Sequence, residues 1–269
     1  MTGPRAFLRA AACSDIGPHR KTNQDAAFTA AWGAAVADGV GGGPAGDLAS
    51  AAFIHRLAAG RLDGLEPVQL ADAVRSANWD LRAHVERDPS LSGMATTFTG
   101  LFAARDGGLL LAHTGDSRAY RLRGGELAQA SRDDSLVQAL VDRGIVSITD
   151  AASHPRRNII TASLSGAERD AATVTAHDAQ TGDRWLLCSD GLTDYVPDDE
   201  IRDLLLEFPH AGTAVEACVA VALEAGSSDN VTVVVCDVVL DADQFGVTSA
   251  QTAFYGAAAE RFMEGLESA

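Results

Sequence analysis

Residues 34–46 read AAVADGVGGGPAG, a short apolar run that ends in a carboxylate and then breaks into glycines. An apolar run stopped by Asp-Gly is the pattern of a buried strand that ends abruptly. Asp38 is then held by a packed element while its side chain points out of the strand end. Gly39 has no Cβ, so its backbone can approach a ligand closely. Gly41, Gly42 and Gly43 let the chain turn before a helical segment from about Asp47. The design recurs. Leu109–Thr114 runs into Gly115-Asp116-Ser117, and Trp185–Cys188 runs into Ser189-Asp190-Gly191. Asp229-Asn230 stands at the start of the most strand-like run in the chain, Val231–Leu240.

The elements between these points alternate in kind. Residues 47–60 and 67–87 carry apolar residues at helical spacing, the second opening on Pro67, a good first-turn residue. Two such helices pack on something flat. Thr96–Ala104, Leu109–Thr114, Ala119–Arg123 and Glu126–Gln129 read as strands, the last two joined by Gly124-Gly125, a two-residue hairpin signal. Short strands with tight turns predict an antiparallel meander. Ser135–Arg143 reads as a short helix, and residues 145–170 as an irregular segment suited to a lid or substrate-contacting flap, with a plain surface excursion as the alternative. Helices follow near Asp198–Phe208 and Thr213–Ala225. Residues 10–28 read as polar, turn-forming chain between apolar stretches, and residues 241–269 as a tail with a helix over Ala257–Leu266.

Composition narrows the class. The chain has 269 residues, enough for one large domain, and no apolar run approaches the roughly 18–20 residues that span a bilayer. A formal net charge of -16 argues against nucleic acid, which needs clustered Lys and Arg. The N-terminus lacks a long apolar segment of the signal-peptide kind, so the reading is a cytoplasmic protein. Cys13, Cys188, Cys218 and Cys236 are too widely spaced for a zinc or thioredoxin-like motif, and no His pair has metal-ligand spacing.

Four strand-end aspartates, Asp38, Asp116, Asp190 and Asp229, cannot all stay ionised if they converge without a counter-charge. Divalent cations resolve that conflict, and an all-oxygen donor set suits magnesium or manganese. Two such ions can activate water and clamp a phosphoryl oxygen, with Arg20 free to bind the other phosphate oxygens. The residues alone leave a second reading open, in which the aspartates are separate turn formers and helix caps.

The ordered series SDIGPHRKTNQD, VADGVGGGPAGDLAS, GMATTFTGLF, HTGDSRAYRL, DDSLVQALVDRGIV, HPRRNIITASLSG, LLCSDGLTDYV and SDNVTVVV resembles the protein phosphatase 2C family of metal-dependent Ser/Thr phosphatases, in its compact bacterial form. The resemblance covers about Ala10 to Leu240. It implies an α+β fold, a four-layer αββα sandwich of two central antiparallel sheets flanked by helix pairs. It divides the chain into a catalytic domain over 1–240 and a tail over 241–269. By motif position it implies that Asp38 bridges two Mn2+ or Mg2+ ions, that the Gly39 carbonyl ligates the second, and that Asp190 and Asp229 complete the first. Asp116, with Asp190, marks a third and weaker ion. Arg20 binds the substrate phosphate, and Asn230 supports the shell. The implied reaction is in-line attack by metal-activated water. Its implied partners are phosphorylated proteins and a cognate Ser/Thr kinase.

Four departures stand out. Gln24 occupies a position where the family usually has Glu, and an amide is the weaker ligand. Gly43 stands where bacterial relatives often have His. Asp134 replaces a common His, and Asn158 stands at a flap position that elsewhere helps hold the third ion. Gln24 is the one residue that favours an alternative, a pseudo-phosphatase that binds phosphoproteins without hydrolysing them.

Overall fold

The structure is a computed structural model that describes residues 5–40, 45–60, 62–151, 154–240 and 252–261. The chain enters on β1 (Ala6–Asp15), then forms the hairpin β2 (Asp25–Ala30) and β3 (Gly33–Val40). The first helix pair follows, α1 (Gly46–Ala59) and α2 (Pro67–Arg87). Pro67 sits in the first turn of α2, and Glu66 and Gln69 close that end as a reciprocal capping box. Next come β4 (Ala95–Thr96), β5 (Phe98–Ala103), β6 (Leu109–Thr114), β7 (Arg118–Arg123) and β8 (Glu126–Gln129). The short helices α3 (Leu136–Asp142) and α4 (Ile148–Ala151) carry the chain out over one end of the molecule before it returns as β9 (Thr173–His177) and β10 (Arg184–Cys188). The last elements are α5 (Asp190–Thr193), α6 (Asp198–Glu207), α7 (Ala211–Glu224), β11 (Val231–Leu240) and β12 (Ala253–Gly256).

One sheet has the order β1-β11-β10-β7-β8, and the other β12-β2-β3-β5-β6-β9 with β4 beside β3. All their pairings are antiparallel. Three apolar clusters define four layers. Phe53, Ile54, Leu70 and Leu81 of α1 and α2 pack on Phe28, Phe98 and Phe102 of the second sheet. Ala27, Val36 and Leu101 meet Trp185, Leu187 and Val234 between the sheets. Ile201, Leu205, Val215 and Cys218 of α6 and α7 cover Leu186, Val233 and Val235 of the first sheet. This is the αββα sandwich, and burial on both faces explains why β10 and β11 are nearly continuous apolar runs.

Two expectations need correction. The four strands from residue 96 to 129 do not form one meander: β5 and β6 belong to one sheet, β7 and β8 to the other. The link 115–117 crosses between layers because Ser117 is buried there, its Oγ 2.6 Å from Thr97 Oγ1 and its carbonyl accepting from Thr99 Oγ1 at 3.0 Å. Residues 10–28 are loop only over 16–24. Ten residues of β1 pair with β11, and pairing overrides the weak strand propensity of an alanine-rich run. Of the tail helix, residues 257–261 are helical, while Phe262, Met263 and Leu266 lie outside the described residues. The chain beyond Leu240 also supplies β12, which pairs with β2. All four cysteines are free.

Arg184 shows how a polar group is used inside the second helix layer. Its guanidinium donates to Asp237 across the sheet at 2.6 Å and to the carbonyls of Leu205 and Phe208 at the end of α6 at 2.8 and 2.6 Å. Arg184→Ala leaves a half-buried carboxylate and helix carbonyls unpaired, so we expect chemical denaturation to show a loss of about 2 kcal/mol. A loss below about 0.5 kcal/mol, the usual surface value, contradicts this role.

Candidate metal centre

The four strand-end aspartates meet at one end of the sandwich, joined by a fifth that the sequence reading missed. Asp25 opens β2 and lies directly opposite Asp38 in the β2–β3 register, which places two carboxylates on one face with Cβ atoms roughly 4.5–5.5 Å apart. Asp25 is 1% exposed, and its Oδ2 accepts the Ser189 hydroxyl at 2.7 Å. Ser189 precedes Asp190 and accepts the Thr232 amide at 3.0 Å, so one hydroxyl ties β2, the Asp190 turn and the start of β11 together.

Each segment that carries one of these carboxylates is fixed through its backbone. Asp38 N–H donates to Thr97 Oγ1 at 3.1 Å, and the Asp38 carbonyl accepts from Thr96 Oγ1 at 2.9 Å and from Thr97 N–H at 2.8 Å. Thr97 Oγ1 also contacts Ser117 Oγ, which links the Asp38 segment to that of Asp116. Gly115, next to Asp116, donates N–H to Asp134 Oδ2 at 3.1 Å and accepts from Asp134 N–H at 2.6 Å. Asp134 is thus a support for the Asp116 loop. Asn230 staples the 16–24 loop to β11: its Oδ1 accepts from Gln24 N–H at 2.8 Å, and its Nδ2 donates to the carbonyls of Ile16 and Thr22. Gly39 lies where a Cβ would run into the Gly46 carbonyl, so glycine is required there by close backbone approach. Gln24 projects to the same corner: a Cβ at Gly46 would stand 2.9 Å from both Gln24 Nε2 and the Gly39 carbonyl.

The electrostatics are those of crowded acids. Burial, then Asp25, Asp190, Asp116 and Asp229, hold the Asp38 carboxyl well above the usual range. Burial, then Asp116, Asp194, Asp229 and Asp25, do the same to Asp190. Burial is also the main reason that Asp25 and Asp116 are pushed up to about 6. Asp190 Oδ1 is buried with no hydrogen-bond partner. An orphaned carboxylate oxygen, an all-oxygen donor set and a closely approached Gly39 carbonyl fit a hard divalent cation. Among the described residues no three His, Cys, Asp or Glu side chains are yet gathered as one ligand group. Arg20 accounts for part of this, because its Nη2 donates to Asp229 Oδ2 at 2.5 Å. Asp229 would join a coordination shell with the oxygen that now faces that guanidinium only if Arg20 turned away.

Beside Asp116 and Asp190 lies a cavity of about 480 Å3 walled by α3, α4 and the turn after α5. Asn158 lines it, and Arg157 spans it to Asp194 at 3.2 Å. His154 does not line it; its Nδ1 accepts from Arg156 N–H. Gly43 falls outside the described residues.

Residues 19–223 match the family model for protein phosphatase 2C, and the chain belongs to that family. It is 46% identical over 238 residues to the serine/threonine protein phosphatase PstP of Mycobacterium tuberculosis, covering 86% of this chain and 45% of that protein's length. It is 33% identical to the protein phosphatase PhpP of Streptococcus pneumoniae over 234 residues, covering 82% of this chain and 93% of that one. The crystal structure of the PstP catalytic domain in complex with two manganese ions superposes with a TM-score of 0.79 at 42% identity, covering 87% of this chain and 99% of that one.

Asp25 and Asp116 bind protons more tightly folded than their ordinary value of 3.8 allows in the unfolded chain. Between about pH 4 and 6 the folded state therefore holds more protons, and stability falls as pH rises through that window. In chelator, the melting temperature should be lower at pH 7 than at pH 5, and Asp25→Asn should flatten the slope. A slope unchanged in Asp25→Asn contradicts the assignment.

Proposed function

We propose that the chain is a metal-dependent phosphatase of phosphoserine and phosphothreonine in proteins, and that it opposes a Ser/Thr kinase. The observation that carries this reading is the crowd of raised-pKa carboxylates around Asp38, with the unpartnered Asp190 oxygen among them. Support comes from the family and from the two manganese ions in the PstP catalytic domain. Asp38, the Gly39 carbonyl, Asp190 and Asp229 would hold two Mn2+ or Mg2+ ions, and Asp116 with Asp190 a third. When bound, such ions stabilise charge on phosphoryl oxygens and make water nucleophilic near neutral pH.

The chain's own residues do the rest. Arg20 stands at the rim on a loop pinned by Asn230, and its guanidinium, bound to Asp229 in this structure, can turn to a phosphate dianion with the same fork geometry. Asp25, recessed and fixed by Ser189, holds the start of β2 beside Asp38. The cavity under the flap has room for substrate residues beside the phosphorylated one.

The test is release of phosphate from a phosphothreonine peptide, with manganese titrated and a chelator control. Turnover should require the metal and vanish on chelation. Bound manganese with no turnover would instead favour the phosphoprotein-binding reading, with Gln24 as the weak point. Arg20→Ala should raise KM by about tenfold with kcat changed far less, because the residue positions phosphate. A fall in kcat at constant KM contradicts that role.

A further inference from the structure

The corner that presents the Gly39 carbonyl is built from three segments that lean on one another. Gly39 N–H donates to the Gln24 carbonyl at 3.1 Å, and Ser50 Oγ of α1 donates to the same carbonyl at 2.6 Å. The Gly46 carbonyl, in the first turn of α1, fills the space a side chain would take at Gly39. A shift of the α1 N-terminus therefore moves the Gly39 carbonyl with it.

Residues 252–261 hold that corner from outside. β12 pairs with β2 from Ala253↔Thr29 to Gly256↔Ala26, one residue short of Asp25. Gly256, at φ +60°, lies so close to the Asp25 carbonyl that a Cβ would run into it. The helical residues beyond bury Ala257 and Ala258 in the cluster under α1. His55 of α1 has its Nε2 2.8 Å from the Ala258 carbonyl, and its ring packs on Phe254 with centroids 4.4 Å apart. Arg261 reaches the carboxylate of Asp47 in the first turn of α1. This segment lies beyond the residues that match the family model.

We propose that residues 252–261 are a strap that sets the metal affinity of the Gly39 side of the centre, with Arg261 as a positioning residue acting through Asp47 and α1. The strap rests on the metal-centre reading of the previous subsection. Arg261 touches no candidate ligand oxygen, so its effect falls on how well the corner is pre-formed and not on the chemistry once ions are bound. Pairing of β12 with β2 and the Gly256–Asp25 approach brace the Asp25 side in the same way.

The test compares the full-length wild type with Arg261→Gln, Arg261→Lys and Asp47→Asn. Two readouts are used: manganese binding by calorimetry, and hydrogen exchange of the Gly39 amide in chelator. Arg261→Gln should weaken one manganese site by about tenfold, the scale of an outer-shell loss, leave the other near wild type, and speed Gly39 exchange. Arg261→Lys should restore most of both. Asp47→Asn should mimic the loss, and the double variant Arg261→Gln/Asp47→Asn should add little to it. A lowered melting temperature with unchanged manganese isotherm and unchanged Gly39 exchange overturns the strap. Wild type that binds no manganese overturns the metal-centre reading instead, and the exchange measurement still decides whether Arg261 orders Gly39.

Discussion

Mutual repulsion among recessed carboxylates is the constraint on which this structure depends. Asp25, Asp38, Asp116, Asp190 and Asp229 approach from five separate strand ends, and burial penalises the charge of four of them. Among the described residues the protein's own donors offset little of this charge: Arg20 bonds Asp229 and Ser189 bonds Asp25. A site of this kind is kept because something of opposite charge repays it. Cations do so on binding, and a phosphate held by Arg20 would complete the balance.

The rest of the fold holds those strand ends against that repulsion. Hydroxyls are the main fasteners: Thr96 and Thr97 on Asp38, Ser117 between Thr97 and the Asp116 loop, Ser189 between Asp25 and Thr232. A hydroxyl both donates and accepts, so it can join two backbones without adding charge to an already acidic region. Behind them the two sheets bury Trp185, Leu187, Val36 and Leu101 between layers, giving the strand ends a rigid base.

The convergence of these carboxylates was legible because an apolar run that stops at Asp beside glycine is a local signal, and Asp38, Asp116, Asp190 and Asp229 all carry it or its mirror. Asp25 was hidden because it begins a strand, where a carboxylate after Asn23-Gln24 looks like turn chemistry. Only its pairing opposite Asp38 reveals it. The helix pairs were legible from their spacing, but the break between β6 and β7 was not. It depends on Ser117 finding partners on β5 and before it, a contact between residues distant in sequence. β12 was invisible for the same reason: Ala253–Gly256 has little strand character alone and is defined by the open edge of β2.

The most direct measurement is the stoichiometry of manganese binding to wild type and Asp38→Asn, by calorimetry on protein shown to be folded. With Asp38 shared between two ions, wild type should take up two and Asp38→Asn should lose both at millimolar manganese or below. If Asp38→Asn binds two ions with wild-type affinity, Asp38 is not the centre of the site and the account fails at its core.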